Sequence, residues 1–331
     1  MTHEQMTFAG LTGTLKAAGE ATRLRILALL AEAELTVSDL TEILRQSQPR
    51  LSRHLRLLAE AGLVERFREG AWAFFRLAER GGGADIASAL IGRLDSNDAI
   101  ILRDRERLAA VRAARAAAAQ HYFRRHAAQW DRIRKLHVAD DAVEGAIRAA
   151  LADKPIRALL DLGTGTGRML ELFAGVIERG LGLDLSLDML ALARARLDRG
   201  GLKNCSVRQG DIYDLTLPRD SFDAVIIHQV LHFLDDGAQA IREAARVLRP
   251  GGRLLVVDFA PHDLEFLREE HAHRRLGFSS ETVAQWLEAA GLDILQQQTL
   301  APGPEGKIAV SLWLARDPRI LLAQPATREV A

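Results

Sequence analysis

Three glycines at alternate positions constrain this chain more than any other feature. In IRALLDLGTGTGRMLELFA (156–174) an apolar run of strand length reaches Asp161. Gly163, Gly165 and Gly167 follow, and a helical pattern opens at Arg168. Glycine at a strand–helix turn permits left-handed backbone and lets a ligand approach the main chain. A dinucleotide-binding turn reads G-x-G-x-x-G and needs glycine at 168, where this chain has arginine. The loop is therefore a close-approach turn of another kind. It opens an α/β segment in which strand and helix signals alternate over residues 155–316.

That segment is half of a 331-residue chain, a length that predicts two or three domains. Gly81-Gly82-Gly83 and Lys154-Pro155 are the clearest breaks. They predict an α+β winged helix-turn-helix over 8–80, a long helix over 93–136, an α/β Rossmann-like domain over 140–317 and a loose tail over 318–331. Cys205 is the single cysteine, which excludes an internal disulfide and a cysteine-rich metal site. No metal site is expected. No run of about 18 apolar residues occurs and the N-terminus lacks a signal-peptide pattern, so the expected location is cytoplasmic, away from membranes. Formal net charge is zero, so any nucleic-acid contact requires a local patch.

The first segment supplies one. Thr36 and Asp39 have capping-box spacing before the stripe Val37, Leu40, Leu44. In SQPRLSRHLRLLAEAGL (47–63), Pro49 fits a first turn, Leu51, Leu55 and Leu58 share a face, and Gly62 stops the helix. Ser52, Arg53 and Arg56 point the other way. Arg45, Arg50, Arg53 and Arg56 fall between Ile43 and Ala59 with no acidic residue among them. LVERFREGAWAFFRL (63–77) reads as a hairpin. A turn between two short helices, the second presenting cations, suits a DNA major groove.

Over residues 10–80 the segment resembles the ArsR/SmtB winged-helix repressors, through ATRLRILALL, QPRLSRHLRLLAEAGLV and REGAWAFFRL. The resemblance implies a homodimer on a double-stranded DNA operator, with Gln48, Ser52, Arg53 and His54 facing the groove beside Arg50 and Arg56. Many members carry metal-binding cysteines in the helix that here reads ELTVSDL. Residues 93–135 hold 11 Lys+Arg against 5 Asp+Glu without glycine or proline after Ser96, as befits a connecting and dimerising helix.

The glycine turn resembles the first motif of class I S-adenosylmethionine-dependent methyltransferases, and RGLGLDLSLDML, RQGDIYDL, SFDAVIIHQVLHFLDD and EAARVLRPGGRLLVVDF follow in that family's order. Within it the UbiE-like small-molecule group is most similar, over about residues 120–316. The resemblance implies that Asp161, Gly163, Gly165, Gly167, Asp184, Asp211, Ile212 and His228 line a site for S-adenosylmethionine, or S-adenosylhomocysteine as effector. Asp184, 21 residues after Gly163, would take the ribose hydroxyls. Asp211 would take the adenine amino group and Ile212 the ring face. The last strand is expected antiparallel. DNA methylation and arsenic methylation lack their motifs and thiols. A histidine in the fourth-strand loop suits a general base, and His232 is the candidate. The expected function is a transcriptional regulator that senses the cofactor and transfers methyl to a small molecule. The alternative is an active small-molecule methyltransferase that uses its winged helix for dimerisation.

Overall fold

Thr36 and Asp39 start a helix as their spacing predicts: the Thr36 hydroxyl accepts from Asp39 N at 3.2 Å and the Asp39 carboxylate accepts from Thr36 N at 2.9 Å. The computed structural model describes residues 6–69, 72–78, 81–126, 140–302 and 308–319. They divide into two units, Met1–Ala118 and Ala119–Ala331.

The first unit holds α1 (Phe8–Ala18), α2 (Ala21–Leu30), β1 (Leu35–Thr36), α3 (Val37–Leu44), α4 (Gln48–Glu60), β2 (Val64–Glu69), β3 (Trp72–Leu77), α5 (Gly82–Ile91) and the start of α6 (Ala99–His126). The strands form an antiparallel sheet in the order β1-β3-β2, which is the wing. Pro49 lies in the first turn of α4, and Leu63 N donates to Leu58 O at 3.0 Å with Gly62 at φ +67°. That left-handed residue is why the helix stops there. Leu51, Leu55 and Leu58 turn into a core with Ile26, Leu27, Leu40, Ile43 and Phe75.

Two sequence expectations need correction. Gly81–Gly83 does not end the first unit: Gly82 and Gly83 open α5, and a Cβ on Gly83 would lie 2.3 Å from Gly62 O. These glycines permit close packing of α5 on the α4 stop. The long helix runs over Ala99–His126, with 127–136 outside the described residues, as is the tail from 320. Its first half is part of the first unit. Leu108 and Val111 join that core. Arg25 binds Asp104 through two bonds of 2.6 Å, Arg107 donates to Ile43 O at 3.0 Å and Arg112 to Glu32 O at 2.8 Å. Arg115 pairs with Asp39. Both ends of α3 are thus held by arginines of α6.

The second unit holds α7 (Asp140–Ala150), β4 (Ile156–Leu162), α8 (Arg168–Phe173), β5 (Ile177–Asp184), α9 (Leu187–Arg199), β6 (Cys205–Gln209), β7 (Phe222–His228), α10 (Gly237–Val247), β8 (Leu248–Phe259), α11 (Phe266–His271), α12 (Ser280–Ala289), β9 (Asp293–Leu300) and β10 (Val310–Arg316). Seven strands pair in the order β6-β5-β4-β7-β8-β10-β9, with β10 antiparallel to both neighbours and the pairs from β6 to β8 parallel. Apolar layers cover both faces, one including Leu160, Val225 and Trp313, the other Leu159, Ile226 and Leu312. This alternation follows from the period of two along a strand. β4 pairs with β5 on one side and β7 on the other, so the chain reverses its winding there. Crevices open at the carboxyl ends of strands at such a point. No helix among the described residues is long and apolar enough to cross a membrane.

Candidate cofactor site and nucleic-acid interface

The glycine turn sits at the carboxyl end of β4. Gly163, Gly165 and Gly167 have φ of +71°, +52° and +81°, conformations that L side chains adopt only with strain. Gly163 N and Thr164 N both donate to Leu183 O, at 2.8 and 2.9 Å, which ties the turn to β5. A Cβ on Gly163 would meet Val230 Cγ2 at 2.4 Å, so the turn also lies directly against the loop after β7. Asp161 is buried at 1% exposure and accepts the Thr164 hydroxyl at 2.6 Å. Arg196 donates to Thr166 O and Oγ1, and Arg168 is held by Glu144 and Glu171, which raise its pKa further. Both arginines are therefore spent on bracing the turn, and neither offers a charge to a phosphate.

Asp184 ends β5. Its Oδ2 accepts Gly165 N and its Oδ1 accepts Ser186 N, both at 2.8 Å. Burial pushes its pKa up against these donors. The Leu185 backbone N–H also favours the charged form; a carboxylate has about four lone-pair sites, so capacity remains for a ligand hydroxyl. Asp211 is exposed, with Oδ1 taken by Tyr213 N at 2.9 Å, and Ile212 is buried beside it. Asp211 lies two residues past β6, not at its end: the strand stops at Gln209. Leu185, 38% exposed directly after Asp184, is an apolar surface the sequence reading passed over. His228 ends β7 and is half-buried. Carboxylates and glycine backbone suit a diol, an amine and a sulfonium, the polar groups of S-adenosylmethionine.

His232 sits in a 3-10 turn over Leu231–Phe233 and is buried, at 2% exposure. Its Nδ1 lies 2.7 Å from Oδ1 of Asp258, itself fully buried near the end of β8. Asp258 was not anticipated. Its rings of company are Phe259, Phe233 and His273, at 4.8, 4.0 and 4.2 Å from His232. Phe123, in the part of α6 assigned to the second unit, meets Phe233 edge-on at 4.8 Å. His262 is pushed down to about 4 by burial and then by neighbouring His232 and Arg268. Among the described residues no cluster of three or more His, Cys, Asp or Glu can hold a metal. His271 ends α11 and His273 follows a left-handed Ala272, so the two do not share a helix.

In the first unit, α4 presents Gln48, Arg50, Ser52, Arg53 and Arg56 to solvent, and among the described residues none of these arginines is held in an ion pair. His54 is the exception to the expected outward set. It is half-buried, with Nδ1 3.6 Å from the carboxylate of Glu20, the cap of α2. The reason is spacing: His54 lies three residues after Leu51 and four before Leu58, on the face those leucines bury. Burial lowers its pKa, opposed by Glu20.

A seven-stranded sheet with this order, one antiparallel strand and a glycine turn at the reversal defines the class I methyltransferase fold. Known proteins agree. Residues 160–256 match the family model described as a methyltransferase domain, and residues 20–66 match that of the bacterial regulatory proteins of the arsR family. The chain thus carries an arsR-family helix-turn-helix followed by a class I methyltransferase domain. It is 32% identical over 179 residues to a Mycolicibacterium smegmatis protein named a probable S-adenosylmethionine-dependent methyltransferase, covering 53% of this chain and 60% of that one. It is 36% identical over 116 residues to the ubiquinone/menaquinone biosynthesis C-methyltransferase UbiE of Vibrio parahaemolyticus, covering 34% of this chain and 45% of that one. The chain therefore spans less than two thirds of the length of either relative. Among solved structures, the methyltransferase in complex with the Haloferax volcanii Trm112 methyltransferase activator superposes with a TM-score of 0.50 at 25% identity. It covers 60% of this chain and 98% of that one.

Proposed function

We propose that the chain is a DNA-binding transcriptional regulator whose methyltransferase domain binds S-adenosylmethionine and S-adenosylhomocysteine. In this reading the domain both senses the cofactor and transfers its methyl group to a small molecule. One observation carries it: a single chain holds a helix whose exposed arginines have no ion pair among the described residues, and a glycine turn whose Asp184 carboxylate is fixed by Gly165 N and Ser186 N. Asp184 holds the ribose hydroxyls, Asp211 the adenine amino group, and Ile212 with Leu185 the ring faces. Asp161 fixes the turn through Thr164. When bound, S-adenosylmethionine supplies an electrophilic methyl group on sulfur.

The chain's own contribution to transfer is the His232–Asp258 pair. Asp258 accepts the Nδ1 proton and fixes the tautomer, which leaves Nε2 as the lone-pair nitrogen. Nε2 takes the hydroxyl or other acidic proton of the acceptor as its nucleophilic atom is methylated. The aromatic walls around His232 keep water away from that proton transfer. This pair favours the second reading as well, an active small-molecule methyltransferase whose winged helix serves dimerisation. The two readings differ in whether ligand changes DNA binding. α6 begins in the first unit and ends in the second, so it is the covalent route for such coupling, typically about 1–3 kcal/mol.

Calorimetric titration of the whole chain with both cofactor forms, followed by gel shifts on its own promoter with each, separates them. Binding with a ligand-dependent shift of about 5- to 150-fold in DNA affinity is expected. Binding of ligand with unchanged DNA affinity refutes the sensor and leaves the enzyme. Asp184→Ala should abolish ligand heat, and unaltered heat refutes the site.

A further inference from the structure

The turn after β6 and the turn after β7 are joined at one atom. Tyr213 Oη accepts the backbone N–H of Asp235 at 2.9 Å and of Asp236 at 3.0 Å. On the adenine side, Tyr213 N donates to Asp211 at 2.9 Å and closes the tight turn that buries Ile212. On the other side, the Asp236 carboxylate caps α10 through Gln239 N at 2.8 Å, and Asp235 pairs with Arg274. The backbone N–H groups of Arg274 and Arg275 then donate to His232 O at 2.8 and 3.0 Å. The Tyr213 ring packs on the sheet core, and burial, with the charges of Asp235 and Asp236, pushes the phenol up to about 12. It stays a neutral hydroxyl across any working pH. α10 grips the same loop from behind: Gln239 Nε2 donates to Tyr213 O at 3.3 Å, Glu243 accepts Leu215 N at 3.2 Å, and Arg246 donates to Leu215 O and Leu217 O.

A phenol oxygen that accepts two main-chain N–H groups of one turn fixes that turn as a unit, because losing it leaves two donors unsatisfied at once. We propose that Tyr213 is a positioning residue: its hydroxyl sets the 231–236 turn, and His232 with it, against the adenine-side turn 211–214. Filling the cofactor site then orders the turn that carries the base. This rests on the cofactor reading above.

The test compares the full-length wild type with Tyr213→Phe, which keeps the ring in the core. Amide hydrogen exchange of peptides spanning 229–236 is followed with and without S-adenosylhomocysteine, alongside calorimetry of the same ligand. In the wild type, ligand should slow exchange there about fivefold or more, the scale of one hydrogen bond of about 1 kcal/mol. In the variant, ligand should still bind within about threefold of wild type while that slowing disappears. Equal slowing in both chains overturns the proposal. A variant that melts far below wild type also overturns it, since the hydroxyl would then support the fold and not the turn. No heat with the wild type refutes the cofactor reading itself, and this inference with it.

Discussion

Replacing Gly163 with alanine perturbs the cofactor turn at its tightest point. Two costs add. At φ +71° an L residue is left-handed, worth about 1–2 kcal/mol. The new Cβ would lie 2.4 Å from Val230 Cγ2 and 2.9 Å from Cγ1, well inside contact, and overpacking of this kind costs about 1–3 kcal/mol. The sum predicts a loss of about 2–5 kcal/mol in the second unit. The two parts are separable. Val230→Ala removes both offending methyls and leaves only Val230 Cβ, at 3.2 Å, so the double variant should regain the contact cost and keep the backbone cost. A double-mutant cycle should therefore return a favourable coupling of about 1–3 kcal/mol. Urea unfolding followed by tryptophan emission is the assay, since Trp313 is fully buried in the sheet. Additive effects of the two substitutions would refute the contact argument. A Gly163→Ala chain as stable as wild type would refute both parts.

Three further outcomes are expected. Asp39→Ala removes one side of a capping box and strands Arg115, so thermal unfolding of the first unit should reveal a loss of about 2–4 kcal/mol, and Asp39→Asn a smaller one. Arg53→Ala should weaken DNA binding across sequences and reduce the slope of log affinity against log salt by about 0.9, measured by fluorescence anisotropy at several salt concentrations. His262 is held near 4 in the fold against about 6.5 in the free chain. Below pH 6.5 the unfolded chain takes up a proton the folded chain refuses. Melting temperature of the second unit should thus fall as pH drops from 6.5 to 4, and His262→Gln should flatten that fall.

The features legible in the sequence are the local ones. A capping box, a proline first turn and a glycine stop are each decided within five residues, so Thr36, Asp39, Pro49 and Gly62 could be read directly. The glycine turn and the central strands were legible because β4, β7 and β8 are buried along most of their length and bounded by turn residues. What escaped depends on contacts between distant residues. Asp258 is 26 residues from His232 and meets it only because β7 and β8 are neighbours. A lone aspartate closing the apolar run LLVVDF was the available signal. His54, placed toward the groove by the resemblance, is half-buried because its spacing from Leu51 and Leu58 puts it beside the face those leucines bury. The glycines 81–83 read as a linker because close packing of helices uses the same residue as a flexible joint does.

The grip of α6 on α3 bears on how such a chain can arise. Leu108, Val111 and the arginines up to Arg115 belong to the fabric of the first unit. A gene cut at the glycine run would therefore yield a damaged fragment, stripped of a wall of its own core. Only a junction placed beyond Arg115 transfers the unit whole. Between Arg115 and His126 such a junction falls inside a continuous helix, where insertion or deletion of a single residue turns the helical residues after it by about 100° about the axis.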